Sequence, residues 1–313
     1  MRLLVVGAGA SYAEGKEAGL PEDLLPPLIS NFARQTWGDY NPHEFISGYL
    51  RRHGFRHGRD AREAFLVLEA DPRNGINIES FFQYAYEHRQ QRSYASAHPG
   101  SVSDYENLLH HGIFRPLTEK LCAGLLADGV DGARLPAHAA MASRFTPDDL
   151  VLNLNYDTLF ELGAEVAGHS VCFLPNTPLA GQLRVAKPHG SINCLVSENG
   201  WTFFKPYFNT ILPAGGWGNF FVPPRRGKKF SDEQISERIV SVVRDQRPDE
   251  IVFWGIGLTS SDADVAELMR ELASRAGILD FLNPNDDAHQ RAVDLFGRPV
   301  RRFRDHRHWL NAS

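Results

Sequence analysis

The chain has 313 residues, 42% of them hydrophobic and 23% charged, with a formal net charge of -5. That length carries ample apolar material for one large domain or two smaller ones, and the mildly acidic balance gives no electrostatic reason to expect nucleic acid or a membrane surface as a partner. Three cysteines, Cys122, Cys172 and Cys194, none of them in a CxxC pair, argue against a disulfide framework or a structural zinc ribbon and for a reducing, cytoplasmic setting.

The first stretch, MRLLVVGAGA, runs a strand straight into glycines and has neither the leader-like nor the membrane-length apolar segment of an exported or spanning chain. RLLVVG (2–7) is followed by further strand-like runs only from 149 onward: DLVLNLN (149–155), LRVAK (183–187), EIVFWGIG (250–257), GILDFLN (277–283) and PVRRF (299–303). These runs are too continuous to alternate, as expected of parallel strands buried on both faces. SDADVAELMRELASRAG (261–277) and DAHQRAVDLFG (287–297) predict helices closed by glycine, so strand and helix alternate from 250 onward. Between about 30 and 147 the character is helical, with Leu109, Ile113, Leu117, Leu121 and Leu125 four apart and Gly112 and Pro116 interrupting the stripe. DPRNG (71–75) and SAHPGS (96–101) punctuate this block, and PPRRGKK (223–229) is the best candidate for a mobile surface loop. The expected fold is therefore α/β, a Rossmann-like open parallel sheet from residues 1–29 and 148–313, with a large helical subdomain inserted at 30–147.

Three stretches carry chemistry. LLVVGAGAS (3–11) is a strand and a tight glycine turn, in which Gly7 and Gly9 admit a phosphate close to backbone N–H groups. The third glycine of a dehydrogenase fingerprint would fall at Tyr12, so that reading fails, and a plain strand-to-helix turn is the other reading. VLNLNYDTLFE (151–161) ends an apolar strand with Asn153, Asn155 and Asp157 on alternate positions; these either meet a ligand at the strand ends or, for Asp157 and Thr158, cap the helix that follows. AKPHGS (186–191) places His189 at a strand end, where it is either an acid–base group in the crevice or a half-buried turn residue.

In the order GAGAS, NYD, KPHGS, WGIGLTSSDAD and LNPN the chain resembles the sirtuin-like superfamily, and more closely its prokaryotic, defence-associated branch than the protein deacylases. The resemblance covers roughly 1–25 and 148–305. It implies that Gly7, Ala8, Gly9, Ala10 and Ser11 contact the phosphates of NAD, with Asp157 beside them. It also implies a second phosphate turn at Gly255, Gly257 and Thr259, adenosine-ribose contact at Asn283, and catalysis by Asn155 and His189. Two departures matter. Cys194 stands alone in SINCLVSENGW, so four thiolate zinc ligands cannot be assembled, and GLPEDLL (19–25) lacks the Phe-Arg pair of the deacylases.

The resemblance thus implies a zinc-free NAD hydrolase, with NAD as substrate, acting in anti-phage defence. Its activity would be controlled by homo-oligomerisation or by a regulatory protein encoded nearby. The alternatives are an NAD-dependent deacylase or ADP-ribosyltransferase, and a non-catalytic sensor of NAD or ADP-ribose. The chemistry suits the residues: nicotinamide leaves a cationic pyridinium as a neutral base, through a transition state resembling an oxocarbenium ion. Such a step needs a positioned water, an Asn to orient it and a His to take its proton. Gly190 is expected to let the ligand come close. Ser261 or Asp262 is expected to cap a helix, and Asp262 and Asp264 are poor pyrophosphate contacts because carboxylates repel it. His53 and His57 have helical metal-ligand spacing, but Gly54 and Gly58 and the want of a third ligand weigh against a metal. The basic RPVRRFRDHRH (298–308) reads as a solvated surface.

Overall fold

The runs of Val, Leu and Ile become the interior of a seven-stranded, all-parallel sheet. The computed structural model describes residues 1–37, 40–56, 60–89, 104–129, 132–197, 200–203, 218–225, 228–258 and 263–312. Its main strands are β1 (Arg2–Val6), β2 (Leu150–Asn153), β3 (Ser170–Phe173), β4 (Gln182–Ala186), β8 (Glu250–Trp254), β9 (Ile278–Leu282) and β10 (Arg301–Phe303). They lie in the order β10-β9-β8-β1-β2-β4-β3. Between them β5 (Gly190–Ser197), β6 (Gly200–Phe203) and β7 (Gly218–Phe221) form a small antiparallel sheet, ordered β6-β5-β7. Neither β3 nor this small sheet is among the strands expected from the sequence.

Alternate residues of each main strand feed two cores. Leu3, Val5, Leu150, Leu152, Ile251 and Phe253 face α10 (Gln234–Arg244), α11 (Ala263–Ala273) and α12 (Asp286–Phe296). Leu4, Val6, Val151, Val185, Val252 and Trp254 face α1 (Ala8–Glu17), α8 (Pro136–Ala142), α9 (Leu159–Val166) and α13 (His306–Ala312). This two-sided burial is the reason the strand runs do not alternate in polarity.

The helical block has its own aromatic core. Trp37, Tyr49, Phe65 and Phe81 pack ring on ring at 5.2–6.0 Å. They bring together α2 (Phe32–Thr36), α3 (His43–Arg52), α4 (Ala61–Glu69) and α5 (Ile78–Glu87). The leucine stripe runs through α6 (Asp104–Leu109) and α7 (Arg115–Ala123), joined by a π-helical turn at His110–Phe114. Gly112 and Pro116 thus loosen this helix without ending it, the usual place for such a turn. Phe114, Leu117 and Leu121 then pack with Leu159, Leu162, Ile192 and Phe221, so the block and the sheet share a seam. Helix α8 lies inside the range read as insertion, yet packs on the sheet.

SAHPGS lies outside the described residues. PPRRGKK departs from the surface-loop expectation: Arg225 and Lys228 are both buried. The Arg225 guanidinium lies 3.9 Å from the centre of the Tyr86 ring and 2.5 Å from Asp232, an arrangement that satisfies a desolvated cation. No helix among the described residues is long and apolar enough to cross a membrane.

Candidate functional site

In an open parallel sheet, ligands bind beyond the carboxyl ends of the strands where the connections diverge. Here the chain runs from β1 to one side through β2, and from β8 to the other through β9 and β10. The turns after β1 and β8 meet at that point. Gly7 N–H donates to Trp254 O and Gly9 N–H to Gly255 O, each at 2.9 Å. A Cβ on Gly7 or Gly9 would stand 2.7 or 2.8 Å from Gly255 O. Gly255 has φ +69, and a Cβ there would stand 2.1 Å from Ala10 N. The glycines therefore let the two turns interlock, and the amides of Gly7 and Gly9, expected to serve a phosphate, are engaged with the protein. What the start of α1 presents outward is exposed Ala8, while Ala10 and Ser11 are buried.

Behind this turn lies a buried polar network. Asn155 gives one amide group to two acceptors, Gly7 O at 3.1 Å and Ser11 Oγ at 3.0 Å. Ser11 in turn donates to Asp157 Oδ2 at 2.8 Å, and Asp157 Oδ1 accepts from Leu159 N–H, so Asp157 does cap α9. Asn153 holds Asn155 N–H through Oδ1 and Glu161 through Nδ2. Lys187, 0% exposed, donates to Asp157 O at 2.6 Å and to Glu161 Oε1 at 3.2 Å. Lys187 and Glu161 were not singled out from the sequence. The signal was there: a lysine closing an apolar strand in LRVAK, and a glutamate on the apolar face of LFELGAEV.

Asn155 and His189 follow neighbouring strands. Leu152 pairs with Ala186, so each residue sits three positions past the same rung. Their segments are tied directly: Tyr156 O accepts from Ile192 N–H at 2.8 Å and from Ser191 Oγ at 3.3 Å. His189 is buried, its ring stacked on Phe230 at 5.7 Å, and its carbonyl accepts from Val222 N–H. His189 Nε2 faces Asp264 Oδ2 at 3.8 Å. Gly190 has φ +84 and a would-be Cβ 2.0 Å from Phe220 O, so the pairing of β5 and β7 by itself requires a glycine there. A cavity of about 420 Å³ lies beside this half of the site, lined by Phe230, Ser231, Val240 and Asp264 among others.

The remaining residues predicted from the resemblance hold the second turn together. Asn283 Nδ2 donates to Ile256 O at 2.8 Å and its Oδ1 accepts from Asn285 N–H. Gly257 O accepts from the Arg291 guanidinium at 2.9 and 3.0 Å. Thr259, Ser261 and Asp262 lie outside the described residues, as does His57; the His53 ring lies tilted at 52° against Tyr49, centres 4.4 Å apart. Among the described residues no group of three or more His, Cys, Asp or Glu is placed to hold a metal ion. Cys194 is fully buried in the core, which pushes its thiol well above the ordinary value. Arg301, in the basic C-terminal stretch, grips buried Asp280 at 2.6 and 2.7 Å, and Trp309 donates to the same carboxylate.

A second buried dyad escaped the sequence reading. Glu14 of α1 accepts from His138 Nδ1 at 2.6 Å, from His138 N–H and from Ala137 N–H, capping α8. Burial alone would raise the Glu14 pKa, but the His138 hydrogen bond, its charge and the two amides outweigh this and hold it below the ordinary value.

Comparison with known proteins finds no family model and no curated protein that matches this chain.

Proposed function

We propose that the chain hydrolyses NAD to nicotinamide and ADP-ribose, with Asn155 and His189 as its catalytic residues. The observation that carries this reading is the placement of Asn155 and His189 each three positions past the same rung, on hydrogen-bonded segments beside the interlocked glycine turns. The sirtuin-like order of motifs supplies the substrate.

The network narrows what Asn155 does. Its amide group is already directed at Gly7 O and Ser11 Oγ, so Oδ1 is the atom left to orient a ribose hydroxyl or a water by accepting from it. His189, whose ordinary pKa is near ~6.5, takes the proton at neutral pH. His189 is buried against the Phe230 ring, which keeps bulk water from the imidazole. A role in anti-phage defence, with control by self-assembly or by a partner protein, rests on the resemblance. The seam between the helical block and the sheet, together with the Tyr86–Arg225–Asp232 contact, is the route by which such control would reach Phe230 and His189.

The test is to incubate the purified chain with NAD and separate the products by chromatography, beside Asn155→Ala and His189→Ala. Nicotinamide and ADP-ribose release by the native chain, lost in both folded variants, supports the reading. Intact NAD in every assembly state tried sinks it, and ligand binding without turnover points instead to a sensor.

A further inference from the structure

We propose that Asp264 is a positioning residue for His189: it fixes the ring by its Nε2 edge and stabilises the imidazolium formed during turnover. This rests on the reading of His189 as the proton acceptor. Asp264 sits in the first turn of α11, brought from the far side of the switch point. Its Oδ1 accepts from Val265 N–H at 2.9 Å, which sets the carboxylate's orientation. Its Oδ2 is buried with no hydrogen-bond donor in reach among the described residues, and the imidazole nitrogen at 3.8 Å faces it. The two side chains are 6% and 5% exposed, so water screens their interaction little. A buried carboxylate oxygen without a donor is uncommon in folded proteins and asks for a reason. A charge that appears on its neighbour only during reaction supplies one. Phe230, stacked on His189 at 5.7 Å and 24°, restricts the ring plane, and Asp264 faces its Nε2 edge.

The bond from the sugar carbon to the nicotinamide nitrogen breaks, its electron pair going to that nitrogen. The water oxygen bonds to the sugar carbon, and its proton passes to His189 Nδ1. The imidazolium then directs Nε2–H at Asp264. Other charges share the surroundings: Lys228 and Lys229 before Phe230, Glu237 and Arg244 of α10, and Glu267 of α11 line the same cavity as Asp264. Lys187, two residues before His189, directs its ammonium to Asp157 and Glu161 instead.

The experiment is a nitrogen-detected NMR titration of His189 in the full chain without substrate, in the native protein, Asp264→Asn and Asp264→Glu. The native neutral ring is expected to carry its proton on Nε2. The titration midpoint should fall by ~1 unit or more in Asp264→Asn, as for loss of an opposite charge within a few ångströms, and recover in Asp264→Glu. The acidic limb of the kcat profile should move with it. An unchanged midpoint in Asp264→Asn, or a native ring protonated on Nδ1, overturns the proposal; the second result needs no variant to fold. If the midpoint moves but NAD is never cleaved, the contact stands and the hydrolase reading falls.

Discussion

Around Asn155 the polar groups are bound to one another: Asn155 to Gly7 and Ser11, Ser11 to Asp157, and Lys187 to Asp157 and Glu161. Around His189 they are arranged differently. The imidazole and the Asp264 carboxylate face each other at 3.8 Å, too far for a hydrogen bond, and Asp264 and Phe230 line a cavity of about 420 Å³. The first half is a locked scaffold, where a lost partner strands a buried polar group. The second is poised, with room for a proton and a charge to arrive. Substitutions of the residues that support Asn155 should therefore act mainly on stability, and those of Asn155 itself and of the poised half mainly on turnover.

The largest separation is expected from His189→Ala. Nicotinamide release should drop by roughly 10²–10⁴-fold, the usual worth of a general base, while the denaturant midpoint moves little. A midpoint shift as large as that of the scaffold variants would erase the distinction. Lys187→Met leaves Glu161 as a buried unpaired charge and should cost about 3–5 kcal/mol in urea unfolding. Adding Glu161→Leu should recover much of that loss, because an apolar pair replaces the ionic one; no recovery would mean that Lys187 acts elsewhere. Gly255→Ala should cost at least ~1–3 kcal/mol from backbone strain, with the contact to Ala10 N adding to it. Calorimetry showing an unaltered melting point would remove the interlock as a structural requirement.

The smallest effect concerns pH. Glu14 is held below its ordinary value of 4.5, so the folded state binds this proton less readily than the unfolded chain. Its contribution is present above that value and lost as pH falls through the lower folded one. Melting temperatures of Glu14→Gln followed downward from neutral pH should start lower and decline less steeply on acidification than those of the native chain. Parallel curves would assign the acid limb to other carboxylates, such as Asp149, which is also lowered.

Much of the sheet was legible because its strands are buried on both faces and carry unbroken apolar runs. Six of the seven, β1, β2, β4, β8, β9 and β10, lie within or one residue off the predicted stretches. β3 and the antiparallel β5–β7 sheet were not legible: β3, β6 and β7 are four residues each, and β5, although eight residues long, mixes polar with apolar residues in GSINCLVS. In the site, the polar strand ends at Asn155, Asp157 and His189 stood out against apolar neighbours. The roles of the glycines did not, because a glycine reads the same whether a ligand or another turn approaches it.

What the sequence determined alone was the α/β pattern, the helical insertion and the polar residues at the strand ends, all of which are local signals of periodicity and composition. Only the tertiary structure decided that Gly7, Gly9 and Gly255 serve each other, that Lys187 is neutralised by Glu161, and that Asp264 stands over His189. Those pairings join residues from 26 to 248 positions apart. Their energies depend on burial and close approach, which exist only once the strands are side by side.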